Sequence, residues 1–241
     1  MNRSLKYIVS AAVCLAACFH AAAAMAGGLT IFPLRADLST QTRIAAFNVI
    51  SGESTPTLMQ VHLFAWTQAN GVELLAPSDD LLVGPPIFTL APGATQLIRV
   101  GLRSDPMSNR EVAYRIVIGE VPTSKVAGLS FAFRLSMPIF VSPMTPSGPH
   151  ALWSAEHVDT RHLRLTLDNS GDEHIHVAAL RVATEPAGTV IFSGGPSAYV
   201  LSGQRRSWTI PVDKALNVRS LRVTVTTEGG APETPALVMV P

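Results

Sequence analysis

Cysteine is almost missing from this chain. There are two, Cys14 and Cys18, and both fall in the opening stretch MNRSLKYIVSAAVCLAACFHAAAAMA. That stretch has a basic start (Arg3, Lys6), an apolar run, and small residues at Ala24 and Ala26. It reads as a secretory signal cleaved after Ala26. Cleavage there leaves residues 27–241 without cysteine, which excludes a disulfide framework and a cysteine metal site despite export to an oxidising compartment. A minor alternative is a lipoprotein box, LAAC at 15–18, with Cys18 as the lipidated residue.

Charge of either sign is also scarce. Without the signal, 16 basic residues face 17 acidic ones. That balance excludes bulk attraction to nucleic acid or to an anionic membrane. Beyond residue 26 no stretch approaches the roughly 18 apolar residues of a membrane helix. Enzyme signatures are missing too: no G-x-S-x-G elbow, no H-E-x-x-H, no phosphate loop. The expectation is no catalysis and no cofactor. Convincing helical periods are likewise lacking.

Strand patterns fill the space instead. LTIFPLRADL, RIAAFNVI, LMQVHLFAW, IFTL, TQLIRVGL, EVAYRIVIGEV and LSFAFRLSMPIF succeed one another between Leu29 and Phe140. Ser51-Gly52, Asn70-Gly71, Pro85-Pro86, Pro92-Gly93 and Asp105-Pro106 punctuate them. Short strands separated by turn residues in this way predict an all-β sandwich with an immunoglobulin-like strand count. VSPMTPSGPH (141–150), with three prolines and a glycine, reads as a stiff linker. Strand patterns then resume with LRLTLDN, IHVAALRVA, TVIFSG, RRSWTIP, LRVTVTT and PALVMV. The expected organisation is a signal at 1–26, a first domain at 27–143 and a second β-sandwich at 144–241.

LSFAFRLSMPIF (129–140) stands out. Leu129, Phe131, Phe133, Leu135 and Met137 alternate with Ser130, Ala132, Arg134, Ser136 and Pro138. Period two means one bulky apolar face and one small or polar face. Proline suits a sheet edge, and a long apolar edge is a hazard that proteins usually suppress. The pattern alone also fits an ordinary core strand.

GPPIFTLAPGATQLIRV (84–100) resembles the middle of the first domain of periplasmic pilus-assembly chaperones. PLRADL with Arg35, LFAW ending at Trp66, and REVAYRIVIGEVP (110–122) resemble the first, third and sixth strands of that family. LRLTLDNSGDEHIHV resembles its second-domain hairpin. Tyr114-Arg115, SMPIFVSP and YVLSGQRRSW resemble its archaic branch. The resemblance implies two immunoglobulin-like sandwiches set at an angle. It also implies a periplasmic chaperone of the chaperone–usher pathway, with pilus subunits and an outer-membrane usher as partners. The apolar strand would then fill a subunit's open groove through Leu129, Phe131, Phe133, Leu135 and Met137, by donor-strand complementation. Family members carry a Lys-x-x-x-Arg-Pro pattern at the strand's end, holding the subunit's terminal carboxylate. Here Pro138 and Ser142 occupy those places. Arg35 matches the first-strand arginine, and Arg115, Arg99 and Arg134 are candidates for the second cation, Arg115 foremost.

Two rival readings belong to other classes. One is a cell-surface adhesin or pilus subunit, the other a secreted metal-binding β protein. His174 and His176, at i and i+2 in DEHIH, are the only metal-like spacing, and a solvated hairpin end is the plainer expectation for them. Arg99 is read either as that candidate second cation or as the partner of Glu111 in an internal ion pair, with Glu111 itself structural. Trp66, Trp153 and Trp208 are read as packing residues, and Pro85-Pro86 as a tight turn.

Overall fold

The computed structural model describes residues 28–69, 71–104, 108–122, 132–212, 219–227 and 236–240. Within them the chain forms ten strands, then nine. The first ten are β1 (Leu29–Phe32), β2 (Ala36–Leu38), β3 (Ile44–Ser51), β4 (Thr57–Ala69), β5 (Val72–Pro77), β6 (Leu81–Gly84), β7 (Ile87–Leu90), β8 (Thr95–Leu102), β9 (Val112–Glu120) and β10 (Arg134–Val141). The rest are β11 (Ala151–Asp159), β12 (His162–Asn169), β13 (Ile175–Val177), β14 (Ala179–Thr184), β15 (Val190–Gly194), β16 (Ala198–Val200), β17 (Arg205–Pro211), β18 (Ser220–Thr226) and β19 (Ala236–Met239).

In the first domain a sheet ordered β1-β3-β8-β6 faces one ordered β2-β10-β9-β4-β5, with β7 also paired to β4. Alternate side chains meet between the sheets. Phe47, Val49, Ile98 and Val100 come from one, and Met59, Val61, Ile116, Ile118, Ile139 and Val141 from the other. The second domain has three sheets, β11-β12-β17, β13-β16 and β15-β14-β18-β19, around Leu163, Leu165, Leu167, Val182, Ile210 and Val223. Two immunoglobulin-like sandwiches are therefore present.

Several single runs in the sequence divide between sheets. LTIFPLRADL breaks at Pro33, which follows a cis peptide bond and has no N–H for a ladder. Its first half pairs with β3, while β2 runs parallel to the end of β10. IHVAALRVA divides at Ala178, sending β13 to β16 and β14 to β18. β5 and β6 carry no legible alternation. Every residue of β5 is exposed, so no apolar face marks it. At the start of its hairpin with β4, Gly71 has φ +77°, a left-handed geometry that glycine adopts without steric cost. Gly84-Pro85 is cis, at the turn expected there.

The linker is held down rather than free. Asp172 accepts from the Ser147 and Gly148 backbone N–H groups at 2.9 and 2.8 Å and from the Ser147 hydroxyl at 2.9 Å. These bonds, the Ser147 backbone N–H first, hold its carboxyl below the ordinary aspartate range. On the other side the Met144 N–H donates to the Ser108 carbonyl. Buried Asn169 completes the anchorage, its Oδ1 accepting from the His150 N–H at 3.3 Å. Its Nδ2 donates to the carbonyls of Glu173 and Val200, and its Oδ1 accepts from the Gly171 N–H.

Candidate functional site

β10 pairs with β9 along its whole length, from Arg134 opposite Gly119 to Val141 opposite Val112. On its other side β2 covers only Ile139, Phe140 and Val141. Among the described residues, Arg134–Pro138 therefore has an open edge. Pro138 is the last residue of that stretch, where β2 offers no ladder partner to miss its N–H.

The apolar series divides at the same place. Leu129 and Phe131 lie outside the described residues. Phe133 is 45% exposed, Leu135 is half-buried against the first domain's core, and Met137 is 3% exposed inside that core. The alternation that points Phe133 outward beyond the sandwich carries Met137 into the space between its sheets. Met137 is thus already packed by its own domain.

On the other face of β10, Phe140 anchors the contact between domains. It is buried with Trp66, Ala113 and Leu201, and Tyr199 packs against the group. The His174 ring stacks on Phe140 at 3.7 Å and an interplanar angle of 11°. Trp66 and Tyr199 meet edge to face at 5.5 Å, a favoured aromatic geometry. Buried Gln68 bridges the domains, donating from Nε2 to the Tyr199 carbonyl at 2.9 Å and accepting the Leu201 N–H at 3.0 Å. A cavity of about 150 Å³ beside it is lined by Trp66, Gln68, Glu111 and Ser202, among others.

Two of the four candidate anchors, Arg35 and Arg115, come to this cleft. Arg35, its side chain 31% exposed, bonds Asp37 at 3.0 Å and stands 5.5 Å from the Phe140 ring centre. Arg115 lies opposite Pro138. Its side chain is 13% exposed, and its guanidinium carbon lies 3.7 Å from the Trp66 ring centre, a close cation–π geometry. Burial pulls its pKa below the ordinary arginine value, and Glu73 at 3.4 Å works against that shift. A guanidinium stays charged under such a shift. Arg99 is exposed on β8, in the opposite sheet. Arg134 is exposed at the start of β10.

Two expectations change here. Glu111 is paired not with Arg99 but with His174 across the domain boundary. Nδ1 of His174 lies 2.9 Å from both carboxylate oxygens, and the two side chains are 10% and 6% exposed. The DEHIH histidines are therefore no solvated hairpin end. His174 stacks on Phe140, and His176 stacks on Tyr199 at 4.2 Å. The packing of the second domain against the first buries them, and no local spacing announces that. Burial raises the Glu173 pKa, and the nearby carboxylates of Glu111 and Asp172 push it the same way. Among the described residues no group of three His, Cys, Asp or Glu is placed to hold a metal. Trp66 packs between domains, and Trp153 and Trp208 pack together at 5.8 Å in the second. Sequence reasoning missed Glu73, Gln68, Tyr199 and Arg206, which carry no periodic or motif signal.

Comparison with known proteins agrees with this architecture. Residues 28–146 match the family described as pili and flagellar-assembly chaperone, PapD N-terminal domain. A search of curated proteins finds no match. Among solved structures, the fold is similar to the complex of the CsuC chaperone with the CsuE tip adhesion subunit, from archaic Csu pili of Acinetobacter baumannii. Its TM-score is 0.66 at 18% identity, covering 89% of this chain and 99% of that one. The Salmonella enterica SafB chaperone with SafA pilin gives 0.63 at 17% identity, covering 88% and 96%. The E. coli chaperone DraB gives 0.61 at 17%, covering 89% and 97%.

Proposed function

We propose, from the premise that the chain belongs to the family of pili and flagellar-assembly chaperones, that it is a periplasmic chaperone that lends β10 to an unfinished pilus subunit. One observation carries the reading: among the described residues β10 is open along Arg134–Pro138, while Arg35 and Arg115 gather at the cleft beside it. An incoming strand adds to the open edge by main-chain hydrogen bonds, and alternate side chains set register and fit. Phe133, with Leu129 and Phe131 before it, supplies the pocket-filling face, and Leu135 joins it to the core. Each such side chain contributes about 1.5–3 kcal/mol when buried, less several kcal/mol for ordering both partners. Arg35 and Arg115 take the subunit's terminal carboxylate. This fixes where the strand starts, since a slip of one residue turns every side chain to the wrong face.

The solved complexes of CsuC with a tip adhesion subunit and of SafB with a pilin support subunits as clients. Residues 1–26 act as the export signal, residues 27–143 bind the client, and residues 144–241 orient the complex for an outer-membrane usher. No helix among the described residues is long and apolar enough to cross a membrane. Co-production with a pilin-like subunit tests the reading. A discrete one-to-one complex, dissolved by an added donor-strand peptide, is the expected result. A chain that polymerises by itself, or leaves subunit recovery unchanged, overturns it.

A further inference from the structure

Arg115 is not empty-handed in the free protein. Its Nη2 bonds Oε2 of Glu73 at 3.4 Å, a long contact. The other oxygen of Glu73, Oε1, lies 3.9 Å from Nη1 of Arg206, on β17 of the second domain. That Arg206 nitrogen is buried and makes no hydrogen bond among the described residues. One carboxylate is thus shared loosely by two guanidiniums from two domains, and it meets the hydrogen-bonding capacity of neither. Glu73 is 41% exposed, on an edge strand whose residues are all exposed, so little packing resists its movement. Two cations around one anion also leave a net positive charge, which favours a second carboxylate.

We propose that Glu73 is a specificity gate. It occupies Arg115 while no client is present, yields to a terminal carboxylate, and then closes onto Arg206. Less than 1 Å of approach turns a 3.9 Å ion pair into a hydrogen bond of ordinary length. Client binding in the first domain thereby tightens a contact with the second. A neutral chain end cannot displace Glu73, so the gate selects for a free carboxylate. The inference rests on the anchor role given to Arg115 above.

Two peptides test it: an alternating Val/Thr strand of about ten residues with a free C-terminal carboxylate, and its C-terminal amide. Their affinities are measured by calorimetry on the full mature chain, on Glu73→Gln and on Arg206→Gln, with circular dichroism to verify folding. Wild type is expected to prefer the acid. Glu73→Gln should strengthen acid binding at least threefold and leave the amide unchanged. Arg206→Gln should weaken acid binding alone. If wild type prefers the acid but Glu73→Gln shifts both peptides equally, or neither, the gate is overturned and the anchor stands. If wild type does not prefer the acid, or binds neither peptide, the anchor reading falls and the gate with it.

Discussion

The two halves of β10 share one alternation and meet opposite surroundings. From Met137 to Val141 every residue is buried, β9 flanks the strand throughout while β2 covers Ile139–Val141, and both faces are packed. Ile139 and Val141 face the first domain's core, and Phe140 faces the second domain. From Arg134 to Ser136 no residue is fully buried, and among the described residues only β9 is a neighbour. A period of two reports that one face is apolar. It does not report whether that face is covered by the chain itself or by something still to arrive.

The contrast is sharpest in mutation. Ile139→Ala should cost about 2–5 kcal/mol, the usual range for truncating a buried isoleucine, and should lower the urea midpoint of the free protein markedly. Phe133→Asp should leave that midpoint within about 0.5 kcal/mol, as expected at an exposed site, and instead reduce subunit recovery several-fold. Equal destabilisation by both substitutions would erase the distinction between the halves.

Arg35→Ala comes next in size. Its ion pair with Asp37 is partly exposed and is worth about 0–1 kcal/mol. Thermal stability should therefore change little while subunit co-purification falls. Unfolding of the free chain, or unchanged co-purification, would remove Arg35 from the anchor.

The smallest effect concerns the linker that continues the closed half. Asp172 has a folded pKa depressed by its bonds to Ser147 and Gly148. A depressed carboxylate contributes stability above its unfolded pKa, about 3.9, and loses that contribution as pH falls through its folded value. Acid titration below about pH 4 should loosen the linker from the second domain, read as faster amide exchange at Ser147 and Gly148. Asp172→Asn should show fast exchange already at neutral pH.

The expected linker, the two sandwiches and most strands were legible because each rests on local chemistry: alternation, proline and glycine. β5 was illegible because it is exposed on both faces. The partner of Glu111 was illegible because His174 lies in the other domain. Arg115 could be singled out as a candidate only through family resemblance and its place in a strand expected beside β10. Nothing in its neighbourhood of the sequence indicates Trp66, Glu73 or Arg206.

What the sequence by itself determined is an all-β chain of two sandwiches with one apolar strand before a rigid linker. Those features follow from side-chain periodicity and backbone restriction, which act within a few residues. The tertiary structure decided where that strand stops being core and, among the described residues, becomes an open edge. β2, from the far end of the first domain's sequence, reaches only Ile139–Val141. It also decided which cations meet at the cleft. Charges interact through space, and the packing of Phe140, Trp66 and Tyr199 between the domains sets those distances.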